Sequence, residues 1–543
     1  MDFISLYNGQ KSAIFQPAKD YSSASAIYMQ TRKPLFKGEK KNNLNIGVKG
    51  GSFSTINPSL LWEHRFNERI SSSISTEYMY TSGRYKFTYA KKDGYDTTAV
   101  RQNGDVRMLR LENAFFGKVP KGEWKAKAYL YNSERGYPGA AVREEPGKFR
   151  HQDRQWDTNL FVQGSFQNYF KPWYSLLANG KYAYDYLHYL SDPRLDVTTM
   201  YVDNHYRQQE IYASAAHLFT IYPWWSMSLS NDFQWNALRA DLIDFVYPTR
   251  NTILTSAATS FDFNRLMLQA SLLYTHVDDN TRTKGANAGT KNKYTPSVIA
   301  TWQPLTKLPL NVRAFYKKVF RMPTLNDLYY TFIGNKDLKP EYTTQYDVGI
   351  TFSHTWNNHW LKSLDLQIDG YYNEVDDKII AMPTSNQFRW TMINLGHVEI
   401  RGLDAAIRGE WGFGKVELST LFNYTYQKAQ DFTDPTSEWY GGQIPYIPWH
   451  GGSIILNGSY QTWSCNYSFI YTGERYEAVA NIPENYAQPW YTHDFSLSKT
   501  FQWEKTRIRV TAEINNIFNQ QYEVVQCYPM PGTSFKIKLN VML

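Results

Sequence analysis

What most constrains this chain is an alternation of apolar and polar side chains with a period of two, sustained over ten or more residues and recurring along the sequence. In 225–236, Trp225, Met227, Leu229, Phe233 and Trp235 share one face of an extended chain, while Ser226, Ser228, Ser230, Asp232, Gln234 and Asn236 share the other. The same split separates Leu176, Ala178, Tyr182, Tyr184 and Tyr186 from Ser175, Asn179, Lys181 and Asp185. It also separates Trp156, Leu160, Val162 and Phe166 from Asp157, Asn159, Gln163 and Ser165. A helix would repeat at 3.6 residues, so these are strands lying between an apolar and a wet phase. At ~10 residues or more, they suit a tilted bilayer crossing better than the average strand of a soluble sheet.

Alternation does not say which face points outward, because a soluble barrel buries its apolar face inside. The connections decide. Tight reversals fall near 67–68, 117–122, 167–172, 221–224, 262–265, 303–309, 355–361, 411–415, 459–462 and 501–505. Long polar connections alternate with them, near 81–105, 133–155, 187–206, 236–252, 277–294, 318–341, 373–395, 427–447, 471–491 and 516–533. Short turns on one rim and long loops on the other are the signature of an outer-membrane barrel. Adding a first strand at 44–51, a short outer connection at 52–57 and a last strand at 534–543 predicts an all-β, transmembrane antiparallel barrel of about 22 strands, with both barrel ends on the short-turn rim. Barrels of 16–18 strands are porins, whereas 22 strands go with plugged transporters. A soluble propeller would show a repeated blade motif, and the sequence carries none.

Composition agrees. Of 543 residues, 17% are aromatic, with 43 Tyr, 30 Phe and 17 Trp, which suits the aromatic girdles of a membrane barrel. With a mean hydropathy of -0.55, the chain has no run of ~18 apolar residues for a spanning helix. The net charge of +8 is spread out, without the basic run that nucleic acid selects. Cys465 and Cys527 build neither a disulfide framework nor a Cys/His cluster. The eleven His residues, His450 and His493 among them, read as loop or lumen residues. No nucleophile elbow, phosphate loop or zinc-protease motif is present, so the chain reads as a non-enzyme. Residues 1–20 hold no apolar core of signal-peptide length.

Three segments resemble TonB-dependent outer-membrane receptors. Phe320-Arg321-Met322-Pro323-Thr324-Leu325-Asn326-Asp327-Leu328-Tyr329, followed by Gly334-Asn335-Lys336-Asp337-Leu338-Lys339-Pro340-Glu341, looks like the family's mid-barrel pattern and is read as a fold marker. Asn515-Asn516-Ile517-Phe518-Asn519-Gln520-Gln521-Tyr522 with Pro531-Gly532 looks like its C-terminal ending, with Thr533 in place of the usual Arg and Leu543 in place of a terminal aromatic. Residues 22–34, Ser-Ser-Ala-Ser-Ala-Ile-Tyr-Met-Gln-Thr-Arg-Lys-Pro, look like the last plug strand and its exit to the barrel.

The resemblance implies a remnant of the N-terminal plug domain at 1–34, a barrel at 35–543, and residence in the bacterial outer membrane, in contact with bilayer and lipopolysaccharide. It implies uptake of a scarce bulky nutrient. The Tyr522–Gly532 ending and modest barrel length look most like BtuB-like cobalamin receptors of Bacteroidetes. A haem or ferric-siderophore receptor is the rival, and a passive pore or adhesin barrel the rival of another class. TonB would act through an N-terminal segment not present in the sequence given, a surface lipoprotein is an expected capping partner, and the chain by itself is expected to bind without energised accumulation.

The long loops carry the candidate ligand contacts: Tyr137, Arg143, Tyr201, Tyr206, Tyr329, Tyr330, Trp439, Tyr440 and Tyr446. Loop aromatics either stack on a planar macrocycle, or pack the loops on one another or mark the outer girdle. Asp93, Asp96 and Asp105, around Gly94, supply oxygens that either hold Ca²⁺ or form an acidic solvated loop. No cofactor is required.

Overall fold

The computed structural model describes the chain except residues 1–2, 10, 91–95, 142–151, 193–200, 284–287, 331–332, 358 and 384–389. Among the described residues, 22 antiparallel strands form one closed barrel, the first (Asn42–Gly51) pairing with the last (Ser534–Met542) from Asn45↔Met542 to Gly51↔Lys536. The strand ends fall within or beside the short and long connections that the sequence predicts, though strands extend into several of the long ones. Left-handed residues make several of the tight reversals, including Asn264 (φ 65°) and Gly414 (φ 63°). No described helix is long and apolar enough to cross a membrane.

The pleat sorts the side chains as expected. On Trp225–Ala240, Leu229 and Phe233 are 44% and 41% exposed on the outer face, while Ser228, Ser230 and Asp232 are buried facing the lumen. Inner faces elsewhere carry ion pairs: Arg110 with Glu77 (2.9 Å), Lys127 with Glu112 (2.9 Å) and Lys181 with Glu210 (2.9 Å). The outer face admits polar groups where they are satisfied locally. Asn231, between Leu229 and Phe233, accepts the Thr255 hydroxyl at 3.0 Å. Stacked rings mark the short-turn rim, as in Tyr222–Trp224 (5.6 Å), Trp224–Phe263 (5.9 Å) and Trp360–Trp411 (5.2 Å).

The structure differs from the sequence reading in strand length. Leu361–Pro383 and Trp390–Phe413 run 23 and 24 residues, against ~10 needed to cross. Val202–Tyr222 begins within the expected loop 187–206, and the expected loop 81–105 contains a small hairpin, Lys86–Ala90 with Asp96–Val100. Above the bilayer both faces of a strand meet water, so pairing continues without the alternation that reveals it.

The described residues among 3–33 lie inside the barrel. Phe3–Asn8 pairs with Ser25–Gln30, and a 3₁₀ turn, Ala18–Tyr21, projects to the wall. Asp232 accepts the backbone N–H groups of Ala18 (3.0 Å) and Lys19 (2.9 Å) and the Tyr212 hydroxyl (2.7 Å). The buried Lys317 ammonium donates to the carbonyls of Gly9 (3.1 Å) and Ser23 (2.7 Å). Ile14, Ala18 and Tyr21 pack on Leu254, Ala258 and Leu273. At the exit, Arg32 bonds both Glu63 oxygens at 2.8 Å and Lys33 pairs with Glu123. The fold is thus a cylinder with a folded segment clamped to its inner wall by buried polar contacts.

Three outcomes follow. Leu229→Arg, on the lipid face, is expected to destabilise the barrel by about 2–4 kcal/mol if the site lies near the midplane, measured by urea unfolding in micelles. Gln163→Arg, on the lumen wall, should change stability by less than about 0.5 kcal/mol. Asp232→Ala, which strands three donors, should weaken docking of the 14–21 segment by about 1–3 kcal/mol, seen as faster protease cleavage inside residues 9–24 with the barrel intact.

Candidate ligand cleft at the outer rim

The segment from 321 to 341 is folded as a bracket against the wall. Thr324 caps the helix Leu325–Tyr329 in a reciprocal box, its hydroxyl accepting the Asp327 N–H at 3.1 Å while the Asp327 carboxylate accepts the Thr324 N–H at 2.9 Å. Arg321 lies 3.8 Å from Asp327 and 3.7 Å from Glu341, and Glu341 accepts the Ile379 N–H at 2.9 Å. The buried Arg250 grips Asp279 with two nitrogens (2.6 and 2.7 Å) and donates a third bond to the Pro323 carbonyl at 2.6 Å. The Arg-x-Pro and Pro-Glu residues of the motif therefore tie the bracket to its two flanking strands and their neighbours.

Leu325, Leu328 and Tyr329 pack beneath the bracket with Tyr206, Leu238 and Ile379. Over this floor opens a cleft of about 830 Å³, whose walls include Tyr201, Asp203, Asp241, Tyr329, Tyr330 and Lys336. The Tyr206 and Tyr330 rings stack at 4.4 Å and 29°. Burial pushes the phenols of Tyr329 and Tyr330 up to about 12, so at neutral pH both are hydroxyl donors. The cleft thus offers an aromatic floor, acidic groups on one side and the Gly334–Asp337 backbone on the other, which suits a bulky ligand with flat apolar and polar parts.

Of the residues singled out from sequence, Tyr201, Tyr329 and Tyr330 line this cleft and Tyr206 lies beneath it, on a strand and not in the loop expected. Tyr137 ends the strand Gly122–Tyr137, with its hydroxyl on Gln155 at 2.9 Å and its ring 6.3 Å from Tyr189. Trp439 and Tyr440 are exposed, Tyr440 against Phe432 at 5.2 Å, and Tyr446 faces Trp390 at 6.2 Å. Arg143 and Asp93 lie outside the described residues. Asp96 is exposed on its hairpin. Arg154 bonds both Asp105 oxygens (3.0 and 2.9 Å), which holds that carboxyl below its usual range.

Sequence reasoning missed the polar walls. Asp241 and Asp244 lie in the expected connection 236–252 without having been singled out, and Gly334–Asp337 reads as a fold marker only. The one available signal was their clustering in two loops that each also carry apolar residues. Across the rim, the other loops are tied to one another: Tyr85 donates to the Pro529 carbonyl (2.6 Å), Ala141 N–H to Cys527 (2.5 Å), and Arg475 to Glu523 and Val524 (2.9 and 3.0 Å). Thr533 donates to the Asn516 carbonyl at 2.7 Å, fixing the C-terminal motif as the root of the last outer loop.

A closed cylinder of 22 strands, apolar outside, charged inside and holding a folded segment in its lumen, defines a large outer-membrane barrel of the transporter class. The family model described as TonB dependent receptor-like, beta-barrel, matches residues 42–517, and the chain belongs to that family of bacterial outer-membrane receptors. Over 244 residues, 43% of this chain and 36% of the relative, it is 28% identical to the vitamin B12 transporter BtuB of Photobacterium profundum. Over 157 residues, 25% of this chain and 15% of the relative, it is 26% identical to a probable hemoglobin and hemoglobin-haptoglobin-binding protein of Haemophilus influenzae. These alignments span well under half the length of the curated relatives. The FrpB iron transporter of Neisseria meningitidis (F5-1 variant) superposes with a TM-score of 0.76 at 12% identity, over 99% of this chain and 88% of that one. The copper transporter OprC superposes at 0.74 and 14%, over 99% and 85%. At such identities the likeness is one of fold.

Asp279→Ala leaves the buried Arg250 charge without its partner and is expected to cost about 3–5 kcal/mol, read by urea unfolding. The bracket at 321–341 should become the first site of protease cleavage.

Proposed function

We propose that this barrel is the uptake receptor for a scarce, bulky nutrient, a corrinoid, which seats in the outer cleft. The observation that carries the reading is the cleft itself, about 830 Å³ over the stacked Tyr206–Tyr330 pair, at the outer mouth of a barrel whose lumen is occupied. A corrin ring with its amide fringe needs apolar area for the ring and hydrogen-bonding groups for the rim, and the cleft supplies both. The vitamin B12 transporters of Photobacterium profundum and Vibrio vulnificus among the similar sequences support the corrinoid choice.

Haem or a ferric siderophore is the second reading, favoured by the iron and siderophore receptors among the similar folds. Either ligand would bind from outside and be released inward when TonB pulls on an N-terminal segment. Residues 1–34 act here as part of a plug. Their clamped position supports this, and so does the hairpin strip of Ile4, Leu6, Ile27 and Met29, which is 62–67% exposed and fits further plug structure. A folded segment held on the inner wall argues against the passive-pore reading. Trp439, Tyr440 and Tyr446, from the neighbouring loop, complete the expected ring of contacts, and a surface lipoprotein would cap them. Calcium at Asp96 and Asp105 requires Arg154 to let go of Asp105, so it is the least supported element of the reading.

Calorimetry on the folded chain, with cyanocobalamin, haemin and a ferric siderophore in parallel, tests the choice. Cyanocobalamin should bind, and Tyr330→Ala should weaken it about tenfold, as expected when one stacking ring is lost. Haemin or siderophore binding with no cobalamin signal would replace the corrinoid reading with the iron one.

A further inference from the structure

We infer that the outer wall of the barrel carries a transition-metal site at its extracellular end, formed by His188, Asp203 and His205. His188 is paired directly across from His205 on adjacent strands, Tyr174–Ser191 and Val202–Tyr222, and Asp203 stands two residues from His205 on the same face. One ligand atom from each of the three lies within 4.8 Å of the others. The imidazoles stack at 4.0 Å, and Trp156 packs on His188 at 4.6 Å, which restricts the rotation of the first ring.

The hydrogen bonds point the same way. Asp241 accepts the backbone N–H of His205 at 2.8 Å and sits 2.5 Å from its Nδ1, which fixes the ring and leaves Nε2 as the available lone pair. A carboxylate on the far nitrogen is the usual support for a metal-binding imidazole. His188 places Nε2 2.7 Å from Asp203 Oδ1, so the second ring already presents its nitrogen beside a carboxylate. Metal bonds of ~2.0–2.2 Å put ligand atoms about 3.3–3.6 Å apart, so binding requires the stacked imidazoles to turn until both lone pairs converge on one ion. Two imidazoles and one carboxylate select zinc-like or copper-like ions over calcium or magnesium. The ligand side chains are 22%, 37% and 31% exposed, so further coordination positions stay open to water.

The location excludes a lipid-buried role. From Tyr222 in the short-turn girdle to His205 the strand climbs ~55 Å at ~3.3 Å per residue, about 40 Å of height at a 45° tilt, beyond an apolar band ~25 Å tall. Asp203 and Asp241 also line the outer cleft. Metal binding would draw Asp203 towards the imidazoles, clip two strands together above the bilayer and change the polar wall that a ligand meets.

The test uses the folded full chain in detergent, stripped of metal and titrated with Zn²⁺, with Co²⁺ as spectroscopic probe and Ca²⁺ as hard-cation control. One Zn²⁺ per barrel is expected, with an imidazole signature in X-ray absorption and no competition from Ca²⁺. His188→Ala and His205→Ala should each weaken binding at least tenfold, Asp241→Asn by about 10–100-fold with unchanged stoichiometry, and His276→Ala, elsewhere on the barrel, not at all. Heat-modifiable gel mobility confirms that each variant folds. Zn²⁺ binding that survives the double His188→Ala/His205→Ala change, or no binding by the parent chain, would overturn the site and leave a plain hydrogen-bonded cluster.

Discussion

Everything in this molecule depends on pairing every backbone N–H and C=O across the bilayer. Hydrocarbon offers no partner to an open edge, so a sheet can cross only if its first strand meets its last. Here that seam is Asn42–Gly51 against Ser534–Met542, and it is short, seven registered pairs from Asn45 to Gly51. Gly51 packs so tightly there that a Cβ would fall 2.2 Å from the Phe535 carbonyl oxygen. The closure therefore requires glycine at that point, and the strands around it are among the shortest of the barrel.

Closing 22 strands creates a second problem, a lumen too wide for side chains to fill. The wall solves part of it with charge networks such as Glu77–Arg110–Glu112–Lys127. The segment 3–33 takes up part of the remainder. Its attachment is polar: Lys317 meets two backbone carbonyls and Asp232 two backbone N–H groups, so the wall completes the hydrogen bonds of irregular backbone. Such contacts are strong while dry and are exchanged readily for water. Part of a plug, as proposed for this segment, is better held by these than by a large apolar seam.

The barrel was legible in the sequence because two phases act on every crossing strand. Leu229 and Ser228 cannot exchange places, and Tyr222–Trp224 cannot leave the interface, so period and punctuation both survive in the residues. Above the bilayer that pressure ends. His205 and Tyr206 sit on a regular strand, yet nothing in their surroundings alternates, and they read as loop. The cleft was legible only in part for the same reason. Tyr201, Tyr329 and Tyr330 announced themselves as aromatics where none was needed for the girdle, whereas Asp203 and Asp241 look like any solvated acids until register puts them beside two imidazoles.

Register also explains why the cleft lies where it does. The wall from Gly122–Tyr137 to Val416–Asp431 is built mainly of long strands, and those after it are shorter, so much of the rim rises well above the membrane on one side. The bracket at 321–341 folds against the high wall because Arg250 and Asp279, both buried, pin Pro323 to it. A charge pair buried at that depth is a poor way to gain stability and a good way to fix a position, since neither group tolerates a displaced partner. The loops across the rim are bonded to one another through Arg475, Tyr85 and Cys527, and Asp105 ties them to the wall at Arg154. The outer mouth thus has one side pinned to the wall through a buried charge pair and, opposite it, loops bonded to one another and to the strand ends. That asymmetry gives the proposed ligand a preformed face fixed in the barrel wall.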